Sequence, residues 1–257
     1  MSRTFDFTVL SSVLVFALTG CASATAPDGV AGESAQADEL DGLAAAESGY
    51  TYFAIDADLR RCPSPTCGGW VLQRLNRPQT VCHDGRRATR CYAPVLDWSE
   101  SNLSEPLQAQ LIDTCKQTAG SAGVYAVVRG RFAKGNATPR PDLGRFVVTE
   151  AWLAQGDAES DGTFTRVWDN GTRCLVAPCP SVDEEVLNRA RYATIMEVDW
   201  SPAAMTDSQL EACVNGMTTR DGILVAGDRY TWTENGTAAT GRTATAAYLR
   251  LIDAPGR

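Results

Sequence analysis

Nine cysteines and one histidine are the residues of this chain best equipped for chemistry. A thiol can be acylated, joined to a second thiol, or ionised to bind a metal or attack a substrate. Cys21 stands alone near the N-terminus. The other eight are Cys62, Cys67, Cys82, Cys91, Cys115, Cys174, Cys179 and Cys213. Structural zinc fits them poorly, because His83 is the only histidine and no C-x2-C pair exists. An even number of cysteines suits disulfides in an oxidising compartment.

Other chemistries find less support. No G-x-S-x-G nucleophile elbow, phosphate loop or dinucleotide fingerprint is present. Asp56 and Asp58 offer too few oxygens for calcium and read as a solvated strand end. His83 reads as an exposed turn residue, and Trp98 and Trp200 read as core anchors rather than a ligand-binding aromatic surface. Asn136, Asn170 and Asn235 begin sequon-like triplets that read as turns. The sequence therefore predicts no catalytic residue, no cofactor and no metal site.

The cysteines sit in a cassette that occurs twice. Arg61-Cys62, Cys67 and Leu75-Asn76-Arg77 match Arg173-Cys174, Cys179 and Leu187-Asn188-Arg189 at a constant offset of 112. Asp97-Trp98-Ser99 matches Asp199-Trp200-Ser201 at an offset of 102. The ten residues lost between these offsets fall around Cys82 to Cys91, where Asp84-Gly85 marks a tight turn. The sequence predicts an inserted β-hairpin closed by Cys82–Cys91, and local loops closed by Cys62–Cys67 and Cys174–Cys179. That leaves Cys115 and Cys213, at equivalent helix positions, either to bridge the two copies or to stay as buried thiols.

The elements that position these residues follow from pattern. Alternating aromatic and β-branched residues begin at Tyr50. Ser104-Glu105-Pro106 starts one helix, and Thr206 with Gln209 forms a capping box for another. Val124–Phe132 is expected to pair with Arg145–Leu153, and Ile223–Trp232 with Arg242–Ile252 across Asn235-Gly236. The expected fold class is α+β: two strand-rich repeats, 50–155 and 162–252, each with one helix, disulfide-stapled and related by a pseudo-twofold axis.

The first twenty residues read as a targeting signal. Thr8–Leu18 is an apolar run, shorter than the roughly 20 residues a membrane helix needs. It ends in Leu18-Thr19-Gly20-Cys21, which resembles the lipobox of bacterial lipoproteins. The resemblance implies cleavage of 1–20 and attachment of acyl chains such as palmitate at Cys21, each buried methylene adding about 0.8 kcal/mol of membrane affinity. Ala22 in place of aspartate implies the outer membrane. Residues 21–49 read as a disordered acidic linker: between 22 and 48 lie six acids and no Lys or Arg. Most of the formal charge of −8 belongs to that linker, so no nucleic-acid partner is indicated.

Arg60-Arg61-Cys62 through Cys67-Gly68-Gly69, with Cys82, Cys91-Tyr92 and Trp98, resemble an uncharacterised domain family of myxobacterial lipoproteins. The likeness covers the first copy and implies location rather than activity. Two further surface features stand out. Arg86, Arg87 and Arg90 on the inserted hairpin, with Arg60 and Arg61, suit contact with anionic headgroups or polysaccharide. The proline-stiffened Cys62–Cys67 loop suits rigid display to a protease. The expected function is a non-enzymatic, lipid-anchored cell-envelope protein that binds or supports something at the surface through a protein or polysaccharide partner. A substrate-like protease inhibitor is the first alternative, and an envelope hydrolase the second.

Overall fold

The computed structural model describes residues 50–134, 143–156 and 159–253. The expected signal (1–20), the Cys21 lipidation site, the linker (21–49) and the Asn136 sequon lie outside the described residues.

Sixteen strands and two α-helices make up the described chain. In order they are β1 (Thr51–Ala57), β2 (Trp70–Arg74), β3 (Thr80–Val81), β4 (Arg87–Ala88), β5 (Cys91–Ala93), β6 (Leu96–Asp97), α1 (Glu105–Thr118), β7 (Ala126–Ala133) and β8 (Arg145–Gln155). There follow β9 (Thr163–Asp169), β10 (Val182–Val186), β11 (Tyr192–Ile195), β12 (Val198–Asp199), α2 (Asp207–Met217), β13 (Ile223–Gly227), β14 (Arg229–Glu234), β15 (Thr237–Thr243) and β16 (Ala246–Arg250).

One 11-stranded sheet dominates, in the order β11-β10-β9-β13-β16-β8-β7-β1-β2-β5, with β6 added alongside β8. Every pair along that path is antiparallel. This corrects the expected fold class. The protein is mostly β, built on a single large sheet, and not an α+β pair of repeats. The seam is β16 against β8, where Tyr248 opposes Ala154 and Leu249 opposes Leu153. Strands from 50–155 and from 162–252 thus hydrogen-bond into one body.

Alternation along the strands explains the core. On β7, Ala126 and Val128 enter a cluster with Phe53, Phe146 and, from α1, Leu111 and Cys115. On β13, Ile223 and Val225 enter another with Val167 and, from α2, Cys213 and Met217. The intervening residues Val127 and Leu224 face the other way, into a third cluster with Trp152, Leu187 and Tyr248. Because Leu249 and Leu153 are register partners, the two helices cover the same face of the sheet side by side.

That arrangement also decides the cysteines. Cys62–Cys67, Cys82–Cys91 and Cys174–Cys179 are disulfides, with Cα atoms 5.7, 5.4 and 5.5 Å apart. Cys115 and Cys213 are free and buried, so the bridge between them is not made. Each helix packs its thiol down into its own stretch of sheet. Cys115 Sγ lies 3.7 Å from the Ile55 carbonyl, and Cys213 Sγ lies 3.7 Å from Met205 Sδ.

One expected strand is broken. Ile223–Trp232 is interrupted after Gly227, whose φ is +151° and which leaves no room for a Cβ against the Thr243 carbonyl. The first part stays in the large sheet as β13. The second turns away as β14 and joins β15 and β12 in a three-stranded sheet. The Asn235-Gly236 turn connects β14 to β15, both residues having positive φ. Buried Glu184 on β10 ties this small sheet to the large one by ion pairs to Arg242 and Arg229.

Helix ends follow the sequence signals with one variation. Thr206 and Gln209 form the capping box of α2. Ser104 makes no side-chain cap on α1 and instead binds Asp253, its hydroxyl 2.5 Å from Oδ1 and its amide 3.0 Å from Oδ2. No helix among the described residues is long and apolar enough to cross a membrane.

Candidate functional site

The Cys62–Cys67 loop projects from the end of β1. Arg61 to Ser64 and Thr66 are exposed, while Cys67 is buried. Several bonds brace the loop. Tyr92 Oη donates to the Pro65 carbonyl at 2.8 Å, and Thr66 Oγ1 donates to the Pro63 carbonyl at 2.6 Å. Asp58 lies beneath and is buried, not solvated as expected. Arg60 forks onto it, with Nε 2.9 Å from Oδ1 and Nη2 2.8 Å from Oδ2. That guanidinium holds the Asp58 carboxyl below the usual range, outweighing desolvation.

The inserted hairpin forms as expected. β3 pairs with β4, Gly85 takes φ +82° at the turn, and Cys82–Cys91 pins the hairpin to edge strand β5. His83 is half-buried rather than exposed, since Gly144 packs directly against its ring. The five arginines are not brought together as a free cationic patch. Arg60 is engaged by Asp58, Arg86 by Asp84, and Arg90 reaches Gln73 at 3.2 Å. Arg61 is exposed on the disulfide loop, and Arg87 is exposed on β4 of the hairpin.

The second disulfide loop, Cys174–Cys179, carries Leu175 and Val176 as exposed apolar residues. At its base Arg173 pairs with Asp169 at 2.6 Å, which lowers the Asp169 carboxyl to about 2. Asn170 is a turn residue: its amide donates to the Pro180 carbonyl and to Asp183.

A cleft of about 750 Å³ has the features of a binding site. Its walls include Glu197, Asp199, Trp200, Met205 and Tyr230. Trp200 packs against the cluster beneath α2 and also lines the cleft. Trp98, its sequence match, packs against the α1 cluster. Tyr230 and Trp232 alternate on β14 and share one face, their rings stacked at 5.4 Å and 26°. Tyr230 lies flat across β15 because its partner there is Gly241, where a Cβ would sit 2.6 Å from the ring. Tyr230 Oη donates to Glu197 Oε1 at 2.8 Å. Burial, then the Glu197 carboxylate, pushes this phenol up to about 12. Asp199 accepts from the Ser201 amide at 3.0 Å, and Ser201 holds its carboxyl below the usual range.

Trp200 was visible in sequence as half of a matched pair. Tyr230, Trp232 and Glu197 were not. The available signal was the Tyr-Thr-Trp alternation before Asn235-Gly236, opposite a strand carrying Gly241. Among the described residues, no group of three or more His, Cys, Asp or Glu is placed to hold a metal.

No curated protein and no solved structure matches this sequence. A family model does match, over residues 51–254, which takes in all the strands and helices described above. The chain belongs to the family described as a domain of unknown function, DUF6748.

Proposed function

We propose that this chain is a non-enzymatic, lipid-anchored envelope protein that binds a glycan in the cleft of Trp200 and Tyr230. One observation carries the binding half: an aromatic platform stands beside two carboxylates. Tyr230 stacks on Trp232 while Glu197 and Asp199 line the cleft next to it. Flat aromatic faces cover the apolar C–H face of a sugar ring, and ionised carboxylates accept from its hydroxyls. The anchoring half is supported by Leu18-Thr19-Gly20-Cys21 and the acidic linker after it. On this reading the internal match between the two cassettes reflects a duplicated module within a bacterial outer-membrane lipoprotein.

The test is binding of the full chain to polysaccharide extracted from its own envelope, read by tryptophan fluorescence. Trp232→Ala and Tyr230→Ala should each weaken binding about fivefold or more, given that aromatic stacking contributes on the order of 1 kcal/mol beyond its buried area. Equal binding by both variants sinks the glycan reading. Cys21→Ser should move the protein from the membrane to the soluble fraction, and unchanged fractionation sinks the anchor.

The exposed, braced Cys62–Cys67 loop favours protease inhibition as a second reading. It fails if a panel of serine and cysteine proteases is unaffected by the full chain. Glu197 and Asp199 share a cleft as a hydrolase would require. However, Ser201 keeps Asp199 ionised, which makes it a poor proton donor.

A further inference from the structure

A second cavity, separate from the aromatic cleft, is walled by arginine. It measures about 730 Å³ and lies where the small sheet meets β10. Arg229 on β14 and Arg242 on β15 are register partners, so both side chains leave the same face of the small sheet. They converge on Glu184, which is 0% exposed at its side chain. Its Oε2 accepts from Arg242 Nε at 2.6 Å, and its Oε1 accepts from Arg229 Nε. Arg242 Nη1 donates to the Gly227 carbonyl at 2.6 Å. Among the described residues, Arg242 Nη2 and both Nη atoms of Arg229 take no protein acceptor.

Within the group of Glu184, Arg229 and Arg242 the charges do not cancel. One buried carboxylate serves two guanidiniums, which leaves an excess positive charge in the wall. Arg189 and Arg191 line the same space and have partners of their own, Arg189 Nη2 donating to the Asn76 carbonyl at 3.1 Å. Three acids lie close by. Asp161 accepts from the Gly162 amide, Asp228 lies against Gly162, and Glu185 pairs with Arg166 across the strand. None of these acids lines the cavity.

We propose that this cavity binds a small phosphate monoester, with the Nη atoms of Arg229 and Arg242 as the fork that grips the phosphate. Guanidinium forks match the geometry of phosphate oxygens, and a dianion uses more than one of them. The volume exceeds that of a bare phosphate and falls in the range of small-molecule sites, so the ester carries a group of sugar or glycerol size. The site is independent of the glycan cleft, which lies on the other face of β14.

The experiment is calorimetric titration of the full chain with glycerol 3-phosphate, and with vesicles containing phosphatidate as a headgroup source of the same chemistry. Saturable binding of either probe is expected. Arg229→Gln should weaken it about tenfold, as loss of a charge-assisted hydrogen bond would. Arg191→Gln, which leaves Glu184 and its partners in place, should weaken it to a lesser degree. Circular dichroism checks that both variants stay folded. Binding of the soluble ester assigns the site to a free ligand, and binding of phosphatidate vesicles in excess of phosphatidylcholine vesicles, without binding of the soluble ester, assigns it to a lipid headgroup. No saturable binding of either probe, or folded variants that bind as tightly as the parent, overturns the proposal.

Discussion

Asn76 and Asn188 each hold the loop that carries the other. Asn76 Nδ2 donates to the Leu187 carbonyl at 2.9 Å, and Asn188 Nδ2 donates to the Leu75 carbonyl at 3.0 Å. The same amides reach the Phe164 and Tyr52 carbonyls, and their oxygens accept from the Phe164 and Tyr52 amides. Arg77 and Arg189 extend the exchange to the Asn188 and Asn76 carbonyls. Both asparagines sit at positive φ, 56° and 60°, which this residue tolerates better than most.

Asn188→Ala should therefore lose its side-chain bonds and strain its backbone together. The expected cost is roughly 4–5 kcal/mol, taking about 1 kcal/mol for each of the three side-chain hydrogen bonds and 1–2 for the left-handed conformation. Asn188→Gly should lose less, because only the bonds go. Urea midpoints measure both, and equal stability for the alanine variant and the parent would show the lock to be decorative.

Glu184→Ala strands Arg242 in the interior without its carboxylate. The expected loss is about 3–5 kcal/mol. A Glu184→Leu/Arg242→Met double variant removes both buried charges and should recover much of that loss. A double variant less stable than Glu184→Ala would show that the ion pair itself, not the unpaired charge, governs the effect.

The two free thiols should be silent in the folded protein. Burial pushes Cys115 up to about 12 and Cys213 up to about 11. Iodoacetamide at neutral pH, followed by mass spectrometry, should leave both unmodified until denaturant is added. Labelling of Cys115 in the native protein at the rate of a model thiol would contradict its place beneath α1.

Asp169 supplies the acid-side dependence. Its carboxyl is depressed to about 2, first by the Arg173 side chain and then by the Gly171 amide. A depressed acid stabilises the fold above its ordinary value, and that contribution fades as pH falls from about 4 towards 2. Arg173→Gln should raise the Asp169 value towards normal in an NMR titration. An unchanged titration would mean that Arg173 plays no part.

How far the sequence could be read depended on range. Cys82–Cys91 was legible because Asp84-Gly85 sits between the two cysteines and sets a local turn. The Leu-Asn-Arg triplets were legible as a match, but nothing in either triplet says that it touches the other. Cys115 and Cys213 were placed correctly on one face of each helix, yet whether they meet depends on the strand order between them. That order is decided by pairings such as β16 with β8, whose partners lie 92 to 98 residues apart in sequence. The split at Gly227 was missed because Gly227-Asp228 was read as part of one continuous strand, although both residue types are depleted in strands; the close approach of Gly227 to Thr243 fixes the break there. The aromatic platform was missed for the same reason, since it exists only once β14 has left the large sheet.

The large sheet finishes in β5 at one end and β11 at the other, strands of three and four residues. Each leaves only a few unsatisfied amides and carbonyls along its outer rim. A neighbouring molecule approaching either rim finds too short a ladder to zip onto. Crowded copies therefore gain little from fibre-like stacking, although the chain commits so many of its residues to extended backbone.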